Sequence, residues 1–153
     1  MTIGREAAIP NPALETLAAL VGRWDTVGRH PLMPGVVLHG RVEFDWLEGG
    51  AFLLMRTEMD EPGIPSGLAI FASDDAAHRL FMLYFDERGV SRKYDVTFSD
   101  GVLRWSRDEA GFAQRFAITI ASDARSMAGR GEMSRNGARW EGDLELEYRR
   151  AAS

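Results

Sequence analysis

The chain has 153 residues, 45% hydrophobic and 27% charged, which fits one globular domain burying roughly two thirds of its unfolded surface. It holds no cysteine, so disulfides and thiolate metal sites are excluded. A net charge of −5, with no basic run beyond Arg149-Arg150, argues against a nucleic-acid partner, because phosphate binding needs a basic surface.

Residues 1–10 read as a flexible leader. Met1 to Glu6 has no apolar core of a signal peptide, and no run in the chain approaches the ~18 apolar residues of a membrane span. A cytoplasmic location and no membrane partner are therefore expected. One helix signal follows. Asn11 can cap it, Pro12 suits its first turn and Gly22 can end it. Leu14, Leu17, Ala18 and Val21 fall on one stripe at helical spacing, which predicts a helix with one buried face.

After Gly22 the hydrophobic period changes to two. Turn signals then recur about every 10–14 residues, from Glu48-Gly49-Gly50 through Pro62-Gly63, Asp86-Glu87-Arg88-Gly89 and Ser99-Asp100-Gly101 to Asn136-Gly137. They divide the chain into about ten strands, with no further helix. No connection is long enough for a parallel crossover, so neighbours should pair antiparallel. The expected fold is all-β: one domain over residues 11–150, an up-and-down barrel of about ten strands whose closure removes exposed edges.

Two strands alternate cleanly. Over residues 36–46, Leu38, Gly40, Val42, Phe44 and Trp46 share one face, and His39, Arg41, Glu43 and Asp45 the other. Over residues 138–148, Trp140, Gly142, Leu144, Leu146 and Tyr148 oppose a charged face that carries Asp143. The middle strands, 51–59 and 78–86, are apolar on both faces, so the wall there needs cover outside as well. The helix or a loop would supply it, or a second copy of the chain, making a homodimer.

Extending the dry face around the barrel carries polar groups inward. Arg92 and Tyr94 share a side with Val90, Val96 and Phe98; Gln114 shares one with Phe112 and Phe116; Arg56 goes with Phe52 and Leu54. Gly129 and Gly131 remove side-chain volume from the inner face, and Trp46 and Tyr148 complete the expected lining. A buried arginine needs a partner. Arg92 or Arg56 either bonds an inward carboxylate such as Glu58, or loop carbonyls, or awaits an anionic ligand, which a guanidinium fork binds well. His39 alternates with charged residues and should face solvent; His30 precedes Pro31 in a loop at the barrel mouth; His78 reads as a turn residue. No two histidines share a metal-binding spacing, and no phosphate-loop, dinucleotide or nucleophile-elbow pattern occurs.

At Gly22-Arg23-Trp24 the chain resembles the lipocalin-like, or calycin, barrels, which open with a short helix and a Gly-x-Trp strand whose tryptophan plugs one end. The ordered set Leu20 to Trp24, Phe44 to Leu53, Tyr84 to Val90, Arg92-Lys93-Tyr94 and Trp140-Glu141 is similar to an uncharacterised bacterial family near the nitrobindin and fatty-acid-binding-protein group. The resemblance implies a ten-stranded barrel with an internal cavity. Nitrobindin-like members hold haem through a histidine late in the barrel. No histidine follows His78 here, which leaves His30 or His39 to substitute, and no cofactor is expected. Fatty-acid-binding relatives hold a carboxylate with an Arg-x-Tyr pair, which Arg92 and Tyr94 match in type on a different strand.

The reading is a binding protein that encloses a small, mainly apolar, possibly anionic molecule. The alternatives are an enzyme on a small organic substrate with His30 and Tyr94 as acid and base, a haem protein, or a structural dimer without ligand.

Overall fold

A computed structural model describes residues 8–152. It contains ten antiparallel strands: β1 (Gly22–Arg29), β2 (Leu38–Leu47), β3 (Phe52–Met59), β4 (Gly67–Asp74), β5 (Arg79–Asp86), β6 (Ser91–Ser99), β7 (Val102–Glu109), β8 (Phe112–Ile120), β9 (Ser126–Ser134) and β10 (Glu141–Arg150). Each pairs with its neighbours in sequence, and β1 pairs with β10 to close the barrel. Closure leaves no strand edge unpaired, as an up-and-down barrel requires. Of the expected leader, residues 1–7 lie outside the described residues. No helix among the described residues is long and apolar enough to cross a membrane.

The expected short helix is present over Pro12–Leu20, and it is a 3-10 helix. Asn11 caps it, its side-chain oxygen accepting from the Ala13 N–H at 3.0 Å. Three residues per turn stack Leu14, Leu17 and Leu20 in one line, and all three are fully buried. Ala18, expected on the buried stripe, is exposed for the same reason. The helix ends at Val21, and Gly22 already opens β1 at φ +132°. A Cβ there would meet Arg150 Nη1 at 2.6 Å. One 3-10 turn, Glu48–Gly50, was not expected; it forms the tight link between β2 and β3.

The helix plugs one end of the barrel. Its three leucines join the core of Trp24, Phe44, Leu53 and Phe71. The Trp24 indole N–H donates to the Leu20 carbonyl at 2.9 Å. Arg150 reaches back from the end of β10, lies 4.3 Å from the Trp24 ring centre and donates to the carbonyls of Ala19, Val21 and Ala124. One side chain thereby satisfies orphan carbonyls at the helix end and covers the plug.

The alternation in β2 is as expected, with Leu38, Val42 and Phe44 buried and His39, Arg41 and Asp45 exposed. In β3 the inward side is the opposite of the expected one. Leu53 and Met55 are buried and Arg56 is exposed on the outer wall with Phe52. A strand apolar on both faces gives alternation nothing to choose by. In β10 the register shifts by one residue between Gly142 and Glu145. This bulge breaks the expected continuous face. Leu146 and Tyr148 stay inside, while Trp140 lies before the strand with the Arg115 guanidinium 3.8 Å from its ring centre.

Candidate functional site

The end opposite the plug is open. The ends of the odd-numbered strands and the starts of the even-numbered ones converge there around a cavity of about 560 Å³. Its walls are mostly apolar, with Val42, Met55, Met82, Trp105, Phe116 and Leu146 among them. That volume and that lining suit a small organic molecule.

A polar cluster interrupts this wall. Tyr94 and Arg92 project inward from β6, and Gln114 projects from the start of β8. Gln114 Oε1 accepts from Arg92 Nη1 at 2.9 Å and from the Tyr94 hydroxyl at 2.9 Å. Arg92 also lies 5.6 Å from the Phe112 ring centre. Among the described residues no carboxylate pairs with Arg92; its only protein acceptor is the neutral amide. Of the partners the sequence left open, an inward carboxylate such as Glu58 is not present beside it among the described residues: Glu58 is on the outer wall, where it accepts from Arg41. Burial raises the Tyr94 phenol above its ordinary pKa, and the neighbouring Arg92 opposes that rise.

Beside this cluster, Arg107, which the sequence analysis does not single out, carries a second guanidinium, whose Nη2 lies 3.8 Å from Glu109 Oε1. It follows Leu103 and Trp105 on the inner parity of β7, and that alternation was the available signal. It pairs in register with Gln114, and its guanidinium carbon lies 5.9 Å from the Tyr94 ring centre. Its Nε is buried with no partner among the described residues.

Two further groups ring the mouth. The Asp86 carboxylate accepts from the Tyr84 hydroxyl at 2.7 Å and from Arg88 Nη2 at 2.6 Å. Arg88 holds the Asp86 carboxyl well below the usual carboxylate range, although burial opposes this. Burial, followed by the bond to Asp86, pushes the Tyr84 phenol up. On the other side, His30 Nε2 meets Asp143 Oδ1 at 2.7 Å, and His30 Nδ1 accepts from the Leu32 N–H at 3.1 Å. The proton therefore sits on Nε2. Asp143 was expected on the wet face; the β10 bulge turns it into the mouth.

His30 thus stands at the mouth as its loop position predicts, with both ring nitrogens engaged. An acid or base role would require that clasp to open. His39 is exposed on the outer wall and His78 sits in a turn at φ +54°. Neither His30 nor His39 offers a free nitrogen to the cavity, so these residues do not fit a haem ligand set. Among the described residues no group of three potential metal ligands clusters.

The remaining expected lining residues fall in different places. Tyr148 lines the cavity, is almost fully buried, and has no hydrogen-bond partner for its hydroxyl among the described residues; burial alone pushes its phenol up. Gly129 and Gly131 face inward but leave no empty space. A Cβ on Gly129 would meet Phe116 at 2.8 Å and Tyr148 at 2.9 Å, and one on Gly131 would meet Phe116 at 3.0 Å. The glycines make room for the Phe116 ring, which stacks on Trp105 at 4.9 Å between centres. Trp46 packs against the core near the plugged end, away from the cavity, and Arg56 is outside the barrel.

No family model and no curated protein matches the sequence. Solved structures do match in shape. One is the crystal structure of Rv2717c from M. tuberculosis, at a TM-score of 0.62 and 16% identity over 92% of this chain and 98% of that one. At that identity the likeness carries the fold alone.

Proposed function

We propose that this chain is a calycin-type barrel, near the nitrobindin and fatty-acid-binding group, that binds a small amphiphile. The apolar body of the ligand occupies the cavity, and an anionic head, of which a carboxylate is the simplest, meets Arg92, Tyr94 and Gln114. The observation that carries this reading is the Arg92 guanidinium, which lines the cavity and, among the described residues, is bonded to a neutral carbonyl alone. A half-buried cation with spare N–H groups gains most from a bidentate anion. Gln114 Oε1 accepts from Arg92 and Tyr94, which fixes the amide, and among the described residues no acceptor takes its N–H₂, which can donate to the same head group.

The apolar walls supply the affinity and the cluster supplies orientation and selectivity. At roughly 25 cal/mol per Å² of apolar burial, a ligand filling such a space reaches micromolar strength after the cost of association. Native mass spectrometry of protein taken directly from cells, followed by organic extraction, tests the reading. Carboxylate-headed molecules should co-purify with the wild type, and Arg92→Met should carry less of them. Extraction of neutral molecules alone, in equal amounts from both proteins, would contradict it.

A further inference from the structure

The outer wall of β3, β4 and β5 is largely apolar, and among the described residues nothing covers it. Phe52 is 41% exposed, and Leu83 and Phe85 are each 38% exposed. The helix, one of the covers the sequence left open for this wall beside a loop or a second copy, plugs the barrel end instead, tied there by Asn11 Nδ2 donating to Ser73 Oγ at 2.8 Å. Contiguous exposed apolar surface of this kind marks an interface.

Strand register shows what fits it. One row across the wall reads Asp45, Leu54, Ile70, Leu83, Lys93, from β2 to β6. It is anionic at one end, apolar through the middle and cationic at the other. The next row reads Glu43, Arg56, Leu68, Phe85, Ser91. We propose that a second copy of this chain docks face to face on this wall, about a two-fold axis lying in the interface along β4.

Such an axis sends β2 of one copy over β6 of the other. Asp45 then meets Lys93, Leu54 meets Leu83, and Ile70 meets itself. In the next row Arg56 meets Phe85, a cation over an aromatic ring. A two-fold interface must be self-complementary, and this row is. An axis running across the strands would instead set Asp45 against Asp45 and Lys93 against Lys93, which like-charge repulsion disfavours. Aligned packing of two sheets about 10 Å apart is the ordinary sandwich geometry. The charged ends lie at the rim, where they select register, and the apolar centre holds the copies together.

Sedimentation equilibrium on the full chain tests this. The wild type should be dimeric at micromolar concentration. Asp45→Lys and Lys93→Asp, made singly, should each weaken the dimer about tenfold or more by opposing like charges, and the two together should restore it. Ile70→Glu should leave a monomer that keeps the β circular dichroism of the wild type and still binds decanoate, which separates loss of the interface from loss of the fold and of the cavity. A wild type that stays monomeric overturns the proposal, as do single reversals without effect or a double reversal as weak as the singles. A monomer that uses this face to bind phosphatidylglycerol vesicles, with binding lost in Ile70→Glu, overturns it too.

Discussion

Arg92 and Asp86 are both charged groups at the cavity mouth, and they differ in what neutralises them. Asp86 is held by Arg88 and Tyr84, whereas Arg92, among the described residues, has only the Gln114 carbonyl. The first arrangement serves stability and the second leaves a charge available to a ligand. Arg92→Met should therefore change unfolding free energy by less than about 1 kcal/mol, because an unpaired cation exchanged for an apolar side chain loses little. The same change should weaken carboxylate binding about tenfold or more. Equilibrium urea unfolding and titration of the same preparation check both halves. Asp86 behaves in the opposite way. Its folded-state pKa lies below the unfolded carboxylate value of about 4, so it adds stability above that pH and loses it as pH falls further. Asp86→Asn should cost about 1–3 kcal/mol at neutral pH, and the gap to wild type should narrow as pH drops below about 4. A gap that stays constant down to pH ~2 would contradict this assignment.

At the scale of elements, legibility in the sequence depended on polar contrast. In β2, alternate charged residues mark the outer face, and Leu38, Val42 and Phe44 are inside as read. In β6, Tyr94 and Val96 are buried with Lys93 and Asp95 outside, so Arg92 and Tyr94 were placed correctly. In β3 both faces are apolar, and Arg56 was assigned to the wrong one. The β10 bulge hid Asp143, because the extra residue turns the start of the strand out of the alternation that Leu146 and Tyr148 keep, and no local residue type announces it. The helix was found by its cap and proline, but its 3-10 pitch shows only in the three-residue spacing of Leu14, Leu17 and Leu20. Gly129→Ala should destabilise by about 1–3 kcal/mol by pushing on the Phe116 and Tyr148 rings, measured as a lowered urea midpoint. Arg150→Met should cost about 2 kcal/mol or more, since three carbonyls at the plug lose their donor. An unchanged midpoint in either variant would contradict the packing described.

For the whole molecule, one end of a closed barrel is sealed by leucines and Trp24, and the other opens on a cavity with a cationic, hydrogen-bonding lip. Sealing at one end lets the apolar interior persist without filling completely, and the open end is where the proposed ligand would enter. Closure was readable because ten short strands follow from turns and periodicity; the plugged end was implied only by the resemblance at Gly22-Arg23-Trp24, and the helix was equally a candidate to cover the outer wall instead. The contents of the interior were not readable, because Phe116 fills the space that Gly129 and Gly131 had suggested was empty. The central claim is that head-group charge is read at Arg92. The most direct test is a pair of calorimetric titrations, decanoate against decanol, followed by the quenching of Trp105 in the cavity wall. Micromolar binding of decanoate, with decanol at least about tenfold weaker and the difference abolished in Arg92→Met, is the predicted result. Equal affinity for the two, or binding of neither, would contradict it.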